Sequence, residues 1–211
     1  MRIFVALSVV FLCAGTVSAD TRIFLNEFNY IPGGGGELEF VEIVVNLNDN
    51  APGFGGLNLS EIRVDLYDGA TGNSYANTTL NLLTETADDQ ARYFVWNTTL
   101  EDGTPDGISL QVGNGAAAAQ FISYGGTFMG VGGPANGVVS TDVGFIDAAG
   151  DDMSVGLIGN GETLEQFSWF APLAATPGAV NTGQTIPEPA SALLLMGGLA
   201  GWGLTRRRSS R

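Results

Sequence analysis

One stretch decides the fold of this chain, and it reads Glu39-Phe40-Val41-Glu42-Ile43-Val44. Its aromatic and β-branched residues favour a strand. Because successive side chains of a strand point to opposite faces, each face carries two apolar groups and one carboxylate, Glu42 on one face and Glu39 on the other. We therefore predict a strand in which at least one glutamate is partly buried.

A partly buried carboxylate must be hydrogen-bonded, paired with a cation, or protonated. We expect Glu42 to fix the fold by accepting hydrogen bonds from backbone amides or from an arginine of the same segment, namely Arg22, Arg63 or Arg92. Two alternatives stay open. Glu27, Glu39 and Glu42 could gather around a metal ion or a sugar, or these carboxylates could act in catalysis.

Short runs of the same kind recur between residues 20 and 185, separated by clusters of Gly, Asn, Asp and Pro. This pattern is typical of an all-β sandwich. No stretch between the runs has sustained helical spacing, so we expect little helix outside the two termini. Residues 73–86 could form a further edge strand. The other predicted strands are 22–28, 38–47, 61–67, 92–97, 107–112, 120–124, 153–158 and 165–170.

Three pieces of this segment resemble the lamin-tail domain, an immunoglobulin-like β-sandwich. They are the opening strand at residues 23–28, the second strand at residues 39–44, and the closing stretch at residues 154–181. The resemblance implies an immunoglobulin-like β-sandwich over residues 20–181 and a role at the cell surface. It also implies a structural role for the motif residues Asn26, Glu27, Glu39, Glu42, Pro177, Gly178 and Asn181.

The C-terminal 26 residues combine three features in a fixed order. The tripeptide Pro187-Glu188-Pro189 ends any preceding strand and holds an extended stretch, because proline fixes its own φ and lacks a donor. Residues 190–204 form an uncharged apolar run that is short for a membrane-spanning helix, which needs about 20 residues. We predict a single transmembrane helix here. A basic cluster then holds the C-terminus in the cytoplasm, and it comprises Arg206, Arg207 and Arg208.

This arrangement resembles the PEP-CTERM sorting signal of exported proteins of Gram-negative bacteria. The resemblance implies that an exosortase-like enzyme processes the chain at the motif Pro187-Glu188-Pro189. Residues 186–211 would form the sorting signal, and residues 182–185 a linker ahead of it. An ordinary single-span membrane protein is the alternative for this tail.

The N-terminus has the pattern of a secretory signal peptide. A basic start precedes an apolar stretch at residues 3–14 and small residues at 17–19. We predict residues 1–19 to be the signal peptide, which the secretion machinery uses and signal peptidase cleaves between Ala19 and Asp20. The single cysteine, Cys13, lies in the apolar stretch, so no disulfide is expected in the mature chain. A lipoprotein signal is disfavoured because Leu12 precedes Cys13 where a small residue is required.

Composition excludes several classes of function. Residues 20–185 hold 21 of the 22 acidic residues against three arginines and no lysine, so this segment has a formal net charge of −18. Nucleic acid is therefore not expected as a partner. The chain has no histidine, which excludes the common nucleophilic triads and imidazole-bound zinc. We expect no enzyme activity and no cofactor, because only carboxylates remain for catalysis.

Two acidic clusters could bind calcium through carboxylate oxygens, one at residues 101–106 and one at residues 147–152. Neither follows the EF-hand spacing, so we assign no metal site. Several aromatic side chains could stack on sugars, although aromatics on strands more often belong to the core. These side chains are Trp96, Tyr124, Trp169 and Phe170.

The sequence thus predicts an exported bacterial protein in which a β-sandwich is flanked by a signal peptide and a transmembrane helix. We expect the inner membrane to hold it briefly, with its C-terminus cytoplasmic, before it is sorted to the cell surface or the extracellular matrix. Its expected role is structural or adhesive, with extracellular polysaccharide as a possible partner. The alternatives are a calcium-dependent or carbohydrate-binding module and a metal-dependent hydrolase.

Overall fold

A computed structural model of the chain describes residues 22–30, 39–46, 57–103, 105–144 and 153–187. Within these ranges, strands dominate and the helical elements are 3-10 turns at Leu59–Glu61, Leu80–Leu82 and Leu164–Gln166. The strands found there are β1 (Ile23–Asn29), β2 (Phe40–Asn46), β3 (Ile62–Asp68), β4 (Ser74–Thr79), β5 (Thr84–Ala87), β6 (Ala91–Asn97), β7 (Asp106–Val112), β8 (Ala118–Tyr124), β9 (Thr141–Asp142), β10 (Met153–Asn160), β11 (Phe167–Ala174) and β12 (Gln184–Thr185).

Both predicted membrane-related segments fall outside the described residues. Among the residues that are described, no helix has the length and apolar character needed to cross a bilayer. The acidic cluster at residues 147–152 also lies outside them. The predicted site residues outside the described ranges are Ala19, Asp20, Glu188, Pro189, Arg206, Arg207 and Arg208.

The described strands form two sheets that share one apolar core, which confirms the predicted all-β sandwich. The first sheet has the order β11-β10-β1-β2-β6-β5, with β12 added alongside β10. The second has the order β4-β3-β7-β8-β9. Apolar side chains from both sheets meet between them, including Leu25 and Ile43 from the first sheet and Val64 and Leu110 from the second.

The alternation predicted for residues 39–44 is confirmed. Val41 and Ile43 lie in the core between the sheets, whereas Val44 lies on the opposite, outer face of the first sheet. The whole of β2 is buried. The first sheet therefore buries apolar side chains on both faces, and its outer cluster comprises Phe24, Val44, Ala91, Tyr93, Leu157, Phe167 and Ile186.

A β-bulge interrupts β1 at Asn26. Leu25 pairs with Ile43 and Glu27 pairs with Glu42, so Asn26 is an extra residue opposite β2. The bulge changes which residues face the core: Leu25 and Phe28 both belong to it. Asn26 and Glu27 bond instead to groups on the outer face of the sheet.

The ambiguous segment at residues 73–86 contains two strands on two different sheets. β4 forms an edge of the second sheet and β5 forms an edge of the first. Between them, the buried side chain of Leu80 sits in a 3-10 turn where the chain passes from one sheet to the other. The last long strand also differs from expectation, because Glu165 lies in a 3-10 turn and β11 begins only at Phe167.

Candidate functional site

The last described segment, residues 176–187, covers the outer face of the first sheet. Its short strand β12 pairs in parallel with β10, with Gln184 opposite Gly159 and Thr185 opposite Asn160. Ile186 follows and is fully buried in the outer apolar cluster. Residues 184 and 185, which the sequence places in a linker, are thus part of a sheet, and the folded part of the chain extends to Ile186.

The segment begins with a type II turn over Thr176–Ala179. The amide of Ala179 donates to the carbonyl of Thr176 at 3.0 Å, with Pro177 at the second position and Gly178 at the third. Gly178 has a φ of +86°, which this turn requires and which favours glycine. The turn directs the Gly178 amide to Glu42, where it donates to Oε2 at 2.5 Å.

Asn181 fills the space where β1 and β10 separate. Its Nδ2 donates to the carbonyl of Asn26 in β1 at 3.1 Å and to that of Leu157 in β10 at 3.0 Å. A side-chain amide thus replaces the ladder bonds that the two strands do not make to each other. Gly156 permits this approach, because a Cβ there would come within 2.8 Å of Asn181 Nδ2.

Two further amide side chains connect this region to the carboxylates. Asn26 Nδ2 donates to Glu42 Oε1 at 2.8 Å and lies 3.2 Å from Asn181 Oδ1. Gln184 Nε2 donates in turn to Asn26 Oδ1 at 2.7 Å. These side chains are all buried, so the segment is attached by hydrogen bonds that water does not reach.

Glu27 and Glu42 are direct cross-strand neighbours, and both are almost completely inaccessible, at 1% and 0% exposure. Glu27 accepts hydrogen bonds from the hydroxyl of Ser154 and from the amide of Thr176. The prediction that backbone amides satisfy Glu42 is confirmed by the bond from Gly178. Among the described residues, the arginines bond to other carboxylates, as Arg22–Glu162, Arg63–Asp65 and Arg92–Glu85.

Two ionised carboxylates opposite each other on one sheet face would repel. The pKa of Glu42 is raised from its ordinary value of 4.5 to about 8. Burial is the largest cause and the charge of Glu27 acts in the same direction, whereas the hydrogen bonds from Asn26 and Gly178 lower the pKa. Burial also raises the pKa of Glu27. Glu42 is therefore largely protonated at neutral pH, which relieves the repulsion.

Glu39 does not join these two glutamates. It accepts a hydrogen bond from the amide of Leu100, beyond β6, and its side chain belongs to the opposite face of β2. The structure thus gathers six of the seven predicted motif residues around the outer-face segment and separates Glu39 from them. The hypothesis that all three glutamates surround one ligand is not supported.

The chain leaves this network beside an open polar cavity. Pro187 lines the cavity, which has a volume of about 450 Å³. Its other walls come from the end of β10 and the loop that follows, namely Asn160, Gly161, Glu162, Thr163 and Gln166. The start of the proline motif is therefore held against the domain by the buried residue before it.

Residues 185–208 match the PEP-CTERM protein-sorting motif. The PEP-CTERM motif thus overlaps the folded domain at Thr185 and Ile186, and it continues past Pro187 beyond the described residues. It indicates an exported protein that an exosortase sorts at the membrane. No curated protein and no solved structure gives a significant match to the chain.

Three members of the network, Ser154, Thr176 and Gln184, are not among the predicted site residues, although Ser154 and Thr176 lie in the closing stretch of the lamin-tail resemblance. A role for Ser154 could have been predicted, because it is a polar residue near the start of a mainly apolar strand. The role of Gln184 could not have been predicted, because the sequence around it from residue 176 onward has the composition of a loop. Only the pairing of β12 with β10 places the side chain of Gln184 beside Asn26.

The aromatic candidates for sugar stacking belong mostly to the core, as expected. Tyr124 is buried and stacks on Tyr30 with ring centroids 4.2 Å apart. Trp96 and Trp169 are partly buried and pack against the main core. Phe170 differs from them, with 45% of its surface exposed.

Proposed function

We propose that this chain is an exported surface or matrix protein whose acidic β-sandwich is delivered through its PEP-CTERM motif. Residues 1–19 are removed as a signal peptide, and residues 190–204 hold the protein in the inner membrane with the C-terminus in the cytoplasm. An exosortase-like enzyme then acts at Pro187-Glu188-Pro189. The protein enters the cell surface or the polysaccharide matrix, with a lamin-tail-like domain as its functional part.

The observation that carries this proposal is the match of residues 185–208 to the sorting motif, directly after a folded β-domain. Between the type II turn and Ile186, buried side chains and backbone amides hold the end of the domain against its own sheet. The carboxylates of that region are closed to solvent and bonded to the protein, so they support a structural role. The absence of histidine and lysine from the sequence favours a role without catalysis.

The C-terminus of the mature protein tests the proposal. In cells that contain the sorting enzyme, mass spectrometry is expected to find a chain that ends near Pro187-Glu188-Pro189 and starts at Asp20. When alanine replaces all three motif residues, the chain is expected to remain unprocessed and to keep its C-terminal Arg211. The control Leu82→Ala, at an exposed residue, is expected to be processed normally. A mature wild-type chain that still ends at Arg211 would contradict the proposal. Hydrolysis of a glycan, an ester or a phosphodiester by the mature protein would contradict its non-catalytic part.

A further inference from the structure

A second group of carboxylates lies at the far end of the other sheet. Asp68 ends β3 and Asp106 begins β7, and the two residues are directly opposite in the antiparallel pairing. Glu101, in the loop before β7, brings a third carboxylate to the same place. One oxygen from each of the three side chains lies within 4.8 Å of the other two. This cluster is separate from the outer-face network described above.

Asp106 is the unusual member of the cluster. Only 1% of its surface is exposed. Its Oδ1 accepts a hydrogen bond from the Gly69 amide at 2.9 Å, whereas its Oδ2 is buried and has no hydrogen bond of normal geometry. The backbone amide of Gly103 is close enough to lower the pKa of Asp106 slightly, but it does not complete a bond to this oxygen. A buried carboxylate oxygen without a donor is strongly disfavoured unless a proton or a cation meets it. Because two further carboxylates lie within reach, the arrangement suits a cation that takes oxygen ligands.

Nothing in the described protein neutralises the cluster. The arginines there bond to Glu162, Asp65 and Glu85, and the sequence offers no lysine or histidine. Burial raises the pKa of Asp106, and the negative charges of Glu101 and Asp68 raise it further. A bound cation would offset both effects.

We propose that Asp68, Glu101 and Asp106 bind a calcium ion. Calcium takes oxygen ligands at about 2.3–2.6 Å, so two of its ligands can lie up to about 5 Å apart, which fits this cluster. Zinc sites usually include histidine or cysteine ligands, which this cluster lacks, and magnesium prefers a tighter octahedral shell with its own waters. With three carboxylates, the site has the ligand chemistry of extracellular calcium modules, whose Kd is on the order of 10⁻⁴–10⁻³ M.

Neighbouring groups hold the proposed ligands in place, and a carboxylate oxygen that accepts one hydrogen bond keeps a second lone pair for a cation. Asp68 accepts hydrogen bonds from the Ala70 amide at 2.8 Å and the Thr71 hydroxyl at 2.7 Å. Two tyrosines fix the backbone of Glu101. Tyr75 Oη accepts from its amide and Tyr124 Oη donates to its carbonyl, each at 3.0 Å. The site lies outside the sorting region, so calcium binding there would be independent of the proposed processing.

These tyrosines allow a direct test with Tb³⁺, which replaces calcium and emits when a nearby tyrosine is excited. The full-length chain is titrated with Tb³⁺, and the signal is then displaced with Ca²⁺ or Mg²⁺. We expect a saturable signal that Ca²⁺ displaces at least tenfold more effectively than Mg²⁺. A lack of saturable binding up to about 10 mM Ca²⁺, well above the range of extracellular modules, would overturn the proposal. Equal displacement by Mg²⁺ would overturn the assignment to calcium.

Variants identify the ligands. Glu101→Gln and Asp68→Asn, at residues that are exposed and half-buried, are each expected to weaken Ca²⁺ binding at least tenfold with unchanged unfolding curves. Asp106→Asn is expected to abolish binding, and the other two variants decide the matter if it fails to fold. The control is Asp142→Asn. Asp142 is exposed, and like Asp68 it accepts a hydrogen bond at Oδ1 from the amide two residues later, here that of Gly144. Unchanged binding in Glu101→Gln and Asp68→Asn, or an equal loss in Asp142→Asn, would show that the cluster is not the site.

Discussion

Glu42 lies opposite Glu27 with no exposed surface, and burial raises its pKa from 4.5 to about 8. Between these values the folded chain binds more protons than the unfolded chain, so the free energy of unfolding falls as the pH rises. This stabilisation is fully present below about pH 4.5 and is lost as the pH rises to about 8 and above. Each such group contributes up to about 1.4 kcal/mol per pH unit.

Glu42→Gln is therefore expected to reduce the dependence of stability on pH between about pH 5 and 8. At pH 5 it is also expected to lower the free energy of unfolding by about 1–3 kcal/mol, because a glutamine has one oxygen for the two donors Asn26 Nδ2 and Gly178 N. Urea unfolding followed by tryptophan fluorescence at several pH values measures both effects. Glu61→Gln, at an exposed 3-10 turn, serves as the control. If the free energy of unfolding of Glu42→Gln depends on pH as steeply as that of the wild type, the raised pKa is wrongly assigned to Glu42.

The sequence predicted a partly buried glutamate because strand alternation forces one carboxylate onto each face of residues 39–44. It could not predict that Glu27 would be its neighbour. The bulge at Asn26 turns Glu27 to the outer face, and a bulge depends on what the extra residue can bond to in the folded chain. Here Asn26 bonds to Glu42 and Gln184, which lie 16 and 158 residues away in sequence.

At the scale of elements, β12 shows how two residues can connect a tail to a sheet. The amides of Gly159 and Gly161 donate to the carbonyls of Gly183 and Thr185, at 3.0 and 3.1 Å. Ile186 then fills the outer apolar cluster. Because this attachment is local and short, its stability is set by few contacts, and it is expected to open without unfolding the sandwich.

Ile186→Ala is expected to loosen β12 specifically. Loss of a buried isoleucine side chain destabilises its surroundings by about 2–5 kcal/mol, which is enough to raise the open population of such a short element. Hydrogen exchange should then be faster at the amides of Gly159 and Gly161, with core amides of β2 unchanged. Leu82→Ala, at a leucine that is 73% exposed, should leave both regions unchanged. Unaltered exchange at Gly159 and Gly161 in Ile186→Ala would show that Ile186 does not hold β12.

Elements with long apolar alternation were predictable, and short ones were not. Seven of the eight predicted strands lie within two residues of the described strands at each end, because their apolar periodicity is local. β9 and β12 have two residues each and pair in parallel with distant strands, so their sequences carry no alternation. Residues 73–86 read as one edge strand, whereas the buried Leu80 divides them between two sheets.

For the whole molecule, the composition indicated a strongly acidic domain, the strand pattern predicted a sandwich and the two termini predicted export, which the match at residues 185–208 supports. What the sequence could not reveal is the coupling between domain and signal. From sequence, prolines after a Gly- and Thr-rich stretch suggest an independent, exposed motif. In the structure, the residue immediately before Pro187 is buried and the preceding two residues are in a sheet. The sorting motif and the domain therefore share residues, which links the proposed processing to the local stability of the domain.

This coupling predicts how an insertion changes processing, if the proposed function holds. An active site must enclose an extended stretch around Pro187, and the docked segment opposes this until β12 opens. A six-residue Gly-Ser insertion between Ile186 and Pro187 is expected to speed processing several-fold in cells with the sorting enzyme, as measured by pulse-chase. Ile186→Ala should have a smaller effect in the same direction. The same insertion between Asn114 and Gly115, in an exposed turn, leaves the rate unchanged. Slower processing after the first insertion would mean that the distance from the membrane, and not the release of β12, controls access to the motif.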